Sequence, residues 1–291
     1  MSYVLTLVAA REAMSLTSAQ VNRVRDALRG RTPMELSPGE AADIPCDDAP
    51  DLQAARAALE GAPVDVLITR ARFRRKALLV ADMDSTIVTS ETLDELAAEA
   101  GLKDVVAEIT RRSMNGEIDF PTALRERVLM LRGLTLDALE RTWTKVSLMP
   151  GARELVATMR ANGATTALVS GGFTFFTERV AALCGFDAHH ANELLHEAGV
   201  LTGAVGEPIL DRDTKRAALL RLAAERGLRR IDTLAVGDGA NDLAMLREAG
   251  LGIAYHAKPV VAAEATNRVD YADLRALLFA QGYPASAFHG D

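Results

Sequence analysis

Two aspartates, Asp82 and Asp84, stand two residues apart at the end of the apolar segment ALLVADMD, which starts at Ala77. A carboxylate beside a divalent cation can attack phosphorus and form an acyl phosphate. A second carboxylate can protonate the leaving oxygen and later activate water, provided that neighbouring acids raise its pKa. An isolated Asp-x-Asp pair is more typical of a solvated turn. A calcium loop is disfavoured because its sixth position requires glycine, and this chain has Ile87 there.

Two later apolar segments also end in small polar residues: ATTALVSGG, which starts at Ala164, and IDTLAVGDG, which starts at Ile231. Each is followed by a helical pattern, and such alternation is typical of a parallel sheet covered on both faces. Ligands bind beyond the carboxyl ends of the strands in such sheets. We therefore expect the polar residues at these strand ends to meet the two aspartates in one crevice. They are Ser170, Gly171 and Gly172 in the second segment, and Asp238, Asn241 and Asp242 in or after the third.

These clusters suit a phosphate ester and a divalent cation. Asp82 and Asp238 supply carboxylates of the kind that hold Mg²⁺ together with a substrate phosphate, and the ion offsets the repulsion between two anions. Backbone N–H groups at the start of a helix, here at Gly171 and Gly172, form an anion site. Lys215 is interpreted as a clamp on the phosphate and on the charge of the nucleophile. Taken alone, it would be an ordinary solvated lysine.

Each cluster by itself also has a structural interpretation. Ser-Gly-Gly is a common strand-to-helix turn. Gly-Asp-Gly begins a dinucleotide-binding fingerprint, but that fingerprint needs a further glycine three residues after Gly239, where Asp242 stands. The coincidence of three clusters at three successive strand ends favours the catalytic interpretation over these alternatives.

The composition is that of a globular protein with a substantial core. The 291 residues are 49% hydrophobic and carry a formal net charge of −7, which argues against a general nucleic-acid or anionic-membrane binder. No apolar run approaches the length of a membrane span. Cys46 and Cys184 are the only cysteines. We therefore expect neither a disulfide framework nor a cysteine-rich zinc site, and we expect a cytoplasmic location.

The pattern divides the chain into three units. Residues 1–75 are predicted to form a small α+β unit, residues 76–89 and 150–291 an α/β core, and residues 90–149 a helical insertion that caps this core. Besides the three apolar segments, the predicted strands are Tyr3–Val8, Met34–Leu36, Ala42–Ile44, Val64–Arg70, Leu251–Tyr255 and Val269–Tyr271. The predicted helices are Ser18–Leu28, Leu52–Leu59, Thr92–Ala100, Asp104–Met114, Asp119–Leu131, Leu136–Thr144, Phe173–Cys184, Thr214–Arg226 and Ala240–Ala249.

Together, these residues resemble the four motifs of the haloacid dehalogenase (HAD) superfamily. The segment Asp82–Thr86 is similar to the first motif, Ser170 to the second, Lys215 to the third and Gly237–Asp242 to the fourth. The resemblance implies a HAD-like (Rossmann-like) parallel sheet with helices on both faces and an inserted helical cap. It also implies a nucleophilic Asp82 and an acid–base Asp84. One Mg²⁺ ion is expected on Asp82, the backbone carbonyl of Asp84 and Asp238, with Asp242 in a supporting role.

The segments ADMDSTIVTSETLDELA, MNGEIDF, LRERV, VSGGF and VGDGANDLAML are similar to the phosphoserine phosphatase branch of that superfamily. This resemblance, over about residues 76–283, implies that Glu91 binds a substrate amino group and Arg127 its carboxylate. It further implies that Met114 and Phe120 line the cap, and that Ser170, Gly171, Gly172, Lys215 and Asn241 surround the phosphate. An amino acid that bears a phosphate does require an anion for its ammonium and a cation for its carboxylate. Without the resemblance, Glu91 would be a helix N-terminal acid, and Arg125 would rival Arg127.

Residues 1–75 resemble, in degenerate form, the regulatory ACT-like βαββαβ domain that longer members of this branch carry. We assign no ligand to this unit and expect it to serve in packing or in oligomer contact, such as a homodimer.

The expected reaction is the Mg-dependent hydrolysis of O-phosphoserine to serine and phosphate through an aspartyl-phosphate intermediate, the final step of serine biosynthesis. A small-molecule substrate is expected, and neither nucleic acid nor membrane as a partner. Two alternatives remain: a HAD phosphatase or phosphotransferase for another small phosphomonoester, and a non-catalytic binding or sensing protein on the same scaffold.

Overall fold

The elements of the fold are given for residues 2–114 and 117–290, which the computed structural model describes. The strands are β1 (Tyr3–Ala9), β2 (Met34–Ser37), β3 (Ala41–Cys46), β4 (Val64–Arg70), β5 (Leu78–Ala81), β6 (Thr165–Phe173), β7 (Ala188–Asn192), β8 (Leu194–Glu197), β9 (Val200–Val205), β10 (Thr233–Gly237), β11 (Leu251–Tyr255) and β12 (Asn267–Val269). The α-helices are α1 (Ser18–Leu28), α2 (Leu52–Ala58), α3 (Thr92–Glu99), α4 (Lys103–Met114), α5 (Phe120–Leu129), α6 (Leu136–Trp143), α7 (Ala152–Ala161), α8 (Thr174–Cys184), α9 (Arg212–Glu225), α10 (Leu243–Glu248), α11 (Pro259–Glu264) and α12 (Ala276–Ala280).

The central sheet is parallel, with the strand order β12-β11-β10-β5-β6-β7. Its central strands β5 and β10 are largely apolar because both faces of the sheet are covered there. On β5, Leu78 and Val80 pack among side chains of α9 and α10, whereas Leu79 and Ala81 pack among α7, α8 and α12. The chain proceeds from β5 outward to β7 and then returns to β10, so the order reverses between β5 and β10. A ligand crevice is expected beyond the carboxyl ends of these two strands.

Helices α3 to α6 form the cap, which is inserted between β5 and α7. The entering and leaving segments are paired: the Thr89 N–H donates to the Ser147 carbonyl (2.9 Å), and the Met149 N–H donates to the Ile87 carbonyl (2.8 Å). Leu96 of α3 is fully buried and belongs to the same apolar cluster as the core residues. The cap and the core therefore share one continuous packed interior.

A β-hairpin of the core, formed by β8 and β9, is attached to the cap through backbone hydrogen bonds. The Gly133 N–H donates to the Leu201 carbonyl (2.9 Å), and the Leu201 N–H donates to the Leu134 carbonyl (2.8 Å). The Leu136 N–H donates to the Gly199 carbonyl (3.1 Å). The loop between α5 and α6 thus pairs with the hairpin as an additional short strand would.

The N-terminal unit is an antiparallel sheet in the order β2-β3-β1-β4, packed against α1 and α2 on one face. Its other face contacts the core, because Val8, Ala41 and Leu67 join the cluster that contains α12. The Arg74 guanidinium lies 2.6 Å from the Asp43 carboxylate, where both side chains are largely buried, and also donates to backbone carbonyls of α12. These contacts fasten the unit to the core.

The edges of the two sheets also meet. The Asn267 side-chain amide on β12 accepts from the Ile68 N–H (2.7 Å) and donates to the Ile68 carbonyl (3.1 Å) on β4. The Asp65 carboxylate accepts the backbone N–H groups of Asp270, Tyr271 and Ala272. Side chains thus complete backbone hydrogen bonding where two edge strands would otherwise stay unpaired.

Most predicted elements are confirmed within one or two residues, including the four cap helices and the N-terminal βαββαβ order. The predicted strand Val269–Tyr271 is placed two residues too far along the chain, because β12 spans Asn267–Val269. The predicted helix from Phe173 begins at Thr174, and Phe173 closes β6 instead. The strands β7, β8 and β9 were not predicted. No helix in residues 2–114 and 117–290 has the length and apolar character to cross a membrane.

Candidate active site

Asp82 follows β5 directly and points into a site that is largely closed to solvent. Its N–H donates to the Val236 carbonyl (3.0 Å) of the neighbouring strand, and its side chain is 7% exposed. The chain then turns tightly, because the Met83 carbonyl accepts the N–H groups of Ile87 (2.8 Å) and Val88 (3.0 Å). Ser85 in this turn has a φ of +55°, a left-handed conformation that non-glycine residues rarely adopt. The turn keeps the Asp82 carboxylate at the mouth of the sheet.

Lys215 lies in the first turn of α9 and pairs with two carboxylates. Its Nζ is 2.6 Å from Asp82 Oδ1 and 2.7 Å from Asp242 Oδ1, and all three side chains are buried. Helix α9 starts in this place because Asp211 caps it, accepting the N–H groups of its first turn. Burial lowers the pKa of Lys215, but the two carboxylates outweigh burial and raise the pKa above its usual value. The ammonium is therefore charged at neutral pH.

Burial is the main reason that the pKa of Asp82 lies well above its ordinary value, and Asp242 raises it further. Lys215 opposes this shift. A carboxylate in such an environment needs additional positive charge to act as a nucleophile at neutral pH.

A group of carboxylates supplies a place for that charge. Oxygen atoms of Asp82, Asp238 and Asp242 lie within 4.8 Å of one another. Asp242 is already engaged, since its Oδ1 pairs with Lys215 and its Oδ2 accepts the Gly239 N–H (3.0 Å). Buried carboxylate oxygens suit a hard divalent cation. The set can hold a divalent metal ion. Asp82 and Asp238 are the members better placed to bind it, because the contacts of Asp238 are long, at 3.4 and 3.5 Å, whereas those of Asp242 are 2.7 and 3.0 Å.

Asp238 follows β10 and faces the same crevice. The Thr86 hydroxyl donates to its Oδ1 (3.4 Å), and the Lys258 ammonium lies 3.5 Å from its Oδ2. Burial raises the pKa of Asp238 to about 6, with Lys258 lowering it and Asp242 raising it. A bound cation would favour the ionised form, as it would for Asp82.

Asp84 is held by both neighbouring units. Its Oδ1 accepts the N–H of Thr92, the first residue of α3 (2.8 Å), and its Oδ2 accepts the Ser170 hydroxyl (3.2 Å). Burial, followed by the nearby Glu91, raises the pKa of Asp84 to about 6. A carboxyl group with this pKa can both release and take up a proton near neutral pH, as an acid–base group must.

The Ser170–Gly172 segment lies in the irregular end of β6, since pairing with β7 is interrupted between Val169 and Phe173. The Ser170 hydroxyl accepts the Gly172 N–H (2.8 Å). A Cβ atom on Gly172 would lie 3.0 Å from Asp84 Oδ2, so a larger residue would displace that carboxyl. Glycine is therefore favoured at position 172 by this close approach, and the segment lies in a strand end and not in the strand-to-helix turn of the alternative interpretation.

The cap brings Phe120 onto these strand ends, and Arg127 lies on the same helix, α5. A Cβ atom on Gly171 would lie 3.1 Å from the Phe120 ring, so the ring covers the Ser170–Gly172 segment. Arg127 is half-buried, and its guanidinium donates to the Ala123 carbonyl (3.1 Å) and to the Thr110 hydroxyl (3.3 Å). Burial lowers the pKa of Arg127, while Asp94 and Glu91 raise it.

Arg125, the rival of Arg127, has a different environment. It is exposed and pairs with Glu207 at 2.6 Å on the outside of the cap. The geometry thus separates two arginines that the sequence alone could not.

Glu91 precedes α3, but its side chain does not cap that helix. Instead, its Oε1 accepts the Ser85 hydroxyl (2.9 Å) and lies 3.6 Å from the Lys258 ammonium. The carboxylate therefore turns towards the strand ends, and the interpretation of Glu91 as an ordinary helix N-terminal acid is not favoured.

Asn241 is half-buried after β10, and a Cβ atom on Gly239 would lie 2.4 Å from its side-chain oxygen. The side chain of Met114 lies outside the described residues. Two further polar groups, Thr86 and Lys258, contact Asp238 although neither was singled out in advance. Thr86 stands within the first motif without a role of its own, and Lys258 lies after β11, a fourth strand end whose sequence carries no distinctive polar cluster.

The site thus combines the buried carboxylate of Asp82, the carboxyl group of Asp84 with its raised pKa, the buried ammonium group of Lys215 and a set of oxygens that can hold a divalent cation. These groups, with the serine hydroxyl and two glycines, can bind a phosphate and transfer it to Asp82. The nearby Glu91 and Arg127 can meet groups of opposite charge on the remainder of a substrate.

The comparisons with known proteins agree with this geometry. Residues 79–247 match the family model of haloacid dehalogenase-like hydrolases. The chain is 46% identical over 199 residues to the phosphoserine phosphatase of Streptococcus thermophilus, covering 68% of this chain and 93% of that protein. It is also 46% identical over 188 residues to the phosphoserine phosphatase of Archaeoglobus fulgidus, covering 65% of this chain but only 55% of the archaeal protein.

A solved structure extends the likeness to the N-terminal unit. The unliganded probable phosphoserine phosphatase of Vibrio cholerae superposes with a TM-score of 0.79 at 33% identity, over 98% of this chain and 88% of that one. The α+β unit at the N-terminus is therefore included in the match.

Proposed function

Because the chain belongs to the family of haloacid dehalogenase-like hydrolases, we propose that it hydrolyses O-phosphoserine to serine and phosphate. The observation that carries this proposal is the pairing of the two buried groups Lys215 and Asp82 at 2.6 Å, beside an acid–base carboxyl group and under a cap that holds Glu91 and Arg127. Curated relatives to which the chain is similar are named phosphoserine phosphatases.

In the proposed reaction, the Asp82 carboxylate attacks the phosphorus and serine leaves. Asp84 donates the proton that the departing serine oxygen requires, and then withdraws a proton from the water that cleaves the aspartyl phosphate. Lys215 stabilises the charge on the phosphate and on Asp82. Ser170 and the backbone of Gly171 and Gly172 hold the phosphate in place.

We assign one Mg²⁺ ion to Asp82, the backbone carbonyl of Asp84 and Asp238, with Asp242 keeping Lys215 in position. When bound, the ion reduces the repulsion between the nucleophile and the phosphate. Carboxylate oxygens fit magnesium well, and they would also accept manganese.

The cap, residues 90–149, is assigned the recognition of the serine portion. Arg127 can bind the carboxylate of the substrate, and Glu91 can bind its ammonium group. Phe120 excludes water from the Ser170–Gly172 segment that holds the phosphate. Asn241 is assigned to the phosphate.

Substitution Asp82→Asn tests the mechanism. We expect phosphate release from O-phosphoserine in Mg²⁺ to fall by at least about a thousandfold, because an amide is a far poorer nucleophile than a carboxylate. Asp137→Asn is a matched control, since Asp137 is an exposed acid at the start of α6. Hydrolysis by Asp82→Asn at near wild-type rate would refute the assignment of Asp82.

A substrate panel tests the substrate. O-phosphoserine, O-phosphothreonine, phosphoethanolamine and p-nitrophenyl phosphate should be compared by phosphate release, with and without EDTA and with an added alcohol acceptor. The highest kcat/KM is expected for O-phosphoserine, with loss of activity in EDTA. Transfer of the phosphoryl group to the alcohol in preference to water would instead identify a phosphotransferase.

A further inference from the structure

Lys258 is a charged residue of the site to which the proposed reaction gives no role. It lies in the loop after β11, immediately before Pro259, which begins α11. Its backbone N–H donates to the carbonyl of Asp238 (3.0 Å). This hydrogen bond fixes the loop to the end of β10, so the lysine is presented from a defined position and not from a free surface segment.

The Lys258 ammonium lies between two acids of different function. It is 3.5 Å from Asp238 Oδ2, on the metal side of the crevice, and 3.6 Å from Glu91 Oε1, at the edge of the cap. Its side chain is 42% exposed and that of Glu91 47% exposed. The pair is accessible enough for a substrate to approach it, yet it is held at both ends.

The two oxygens of Glu91 differ in their surroundings. Oε1 accepts the Ser85 hydroxyl (2.9 Å) and is the nearer oxygen to Lys258. Oε2 accepts no hydrogen bond from the residues that the structure describes. A carboxylate fixed through one oxygen still has the lone pairs of the other for an external donor.

We propose that Lys258 is a positioning residue which, together with Ser85, holds Oε1 of Glu91 and thereby leaves Oε2 directed to the ammonium group of the substrate. This inference rests on the proposed function, in which Glu91 receives that ammonium group. Lys258 thus sets the preference for phosphate esters that carry an amine over those that do not.

The contact of Lys258 with Asp238 defines a competing role for the same side chain. If its main effect were on Asp238, its removal would change the affinity for Mg²⁺ and would affect every phosphate ester equally. The two roles therefore differ in their dependence on the substrate and on the metal.

The test is Lys258→Met, which keeps most of the side-chain volume and removes the charge. Half-exposed ion pairs contribute only a small interaction free energy. We therefore expect KM for O-phosphoserine to rise about three- to fivefold, while kcat changes by less than about twofold. Kinetic constants for p-nitrophenyl phosphate, which has no ammonium group, should stay unchanged. Lys258→Arg should restore most of the affinity. Lys145→Met is the matched control, because Lys145 pairs with Glu99 on the outside of the cap.

A second measurement examines whether Lys258 acts through Glu91. The inhibition constant of O-phosphoserine against hydrolysis of p-nitrophenyl phosphate is measured for Glu91→Gln with and without Lys258→Met. We expect the second substitution to add no further loss in that background. A full additional loss, an equal effect on both substrates or a changed Mg²⁺ requirement would overturn the proposal.

The outcomes separate this inference from the proposed function. If the wild-type protein hydrolyses p-nitrophenyl phosphate but neither binds nor hydrolyses O-phosphoserine, the proposed substrate is wrong. If it hydrolyses O-phosphoserine and Lys258→Met leaves KM unchanged, only the role of Lys258 is wrong.

Discussion

The charged residues of the site differ in how readily the sequence reveals them. Asp82, Asp84 and Asp238 were identified because each follows an apolar strand, and the parallel sheet brings such ends together. Lys258 was missed because a single lysine before a proline has no distinctive spacing. Its significance arises from distances to Glu91 and Asp238, which are 167 and 20 residues away in the chain, and no local pattern encodes such distances.

A prediction about pH belongs to Asp84. Its pKa is about 6 in the folded protein against an ordinary 3.8, so the native state binds the proton more tightly than the unfolded state. The resulting penalty is absent below about pH 3.8, grows as pH rises, and is complete above about pH 6. In EDTA, Asp84→Asn should therefore gain stability over wild type by up to about 3 kcal/mol at pH 7, and little at pH 4.

Urea unfolding of both proteins between pH 4 and pH 7 measures this difference. Asparagine can keep the hydrogen bond from the Thr92 N–H, and its NH2 group can donate to the Ser170 hydroxyl in place of the bond that Asp84 accepts. The dependence of the stability difference on pH therefore reports the charge. A stability difference that is the same at both ends of the pH range would contradict the raised pKa of Asp84.

At the level of elements, the strongly periodic segments were predicted well and the weakly patterned ones were not. The amphipathic cap helices α3 to α6 fall within two residues of their predicted bounds. Strand β7 has the sequence AHHAN, which is half-polar because it forms the edge of the sheet. The hairpin β8–β9 turns at Ala198 and Gly199, both at positive φ, and an Ala-Gly pair is a weaker turn signal than Asn-Gly or Asp-Gly.

The cap gives a prediction that compares two neighbouring arginines of α5. Arg127→Ala should raise KM for O-phosphoserine by about ten- to a hundredfold, the effect of losing hydrogen bonds to a charged group. It should change KM for p-nitrophenyl phosphate by less than about threefold, since that ester has no carboxylate. Steady-state kinetics on both substrates provide the measurement.

Arg125→Ala is the control for that experiment, because Arg125 is exposed and pairs with Glu207 outside the cap. It should leave both KM values near those of the wild type. Equal effects of Arg127→Ala on the two substrates would show that Arg127 does not bind the carboxylate of O-phosphoserine.

For the whole molecule, the order of units was predicted from the sequence but their mode of attachment was not. Residues 70–76, between the N-terminal unit and the core, form a basic segment with several arginines. Its sequence does not indicate that Arg74 is largely buried while Arg72 is exposed. Asn267 and Asp65 join the two sheets, and Arg74 joins the N-terminal sheet to α12. All three make contacts between residues that are distant in the chain. Such contacts follow from the docked surfaces, which only the folded structure defines.

Arg74→Ala should destabilise the protein by about 3 kcal/mol or more. Its removal leaves the Asp43 carboxylate, which is 1% exposed, buried without a cationic partner. Arg72→Ala, at an exposed position of the same segment, should change the free energy of unfolding by less than about 0.5 kcal/mol. Urea unfolding followed by fluorescence and by circular dichroism gives both values, and similar stabilities for the two variants would show that Arg74 does not fasten the units together.

The attachment of the cap to the β8–β9 hairpin has a consequence for engineering. Three backbone hydrogen bonds join residues 133–136 to residues 199–201, although about sixty residues separate the two segments in the chain. A chimaera that received residues 90–149 from a relative would contain the relative's residues on the cap side of this contact and its own residues on the hairpin side. The unit that can be exchanged between proteins of this architecture is therefore discontinuous: the inserted helices together with the hairpin, grafted as a pair.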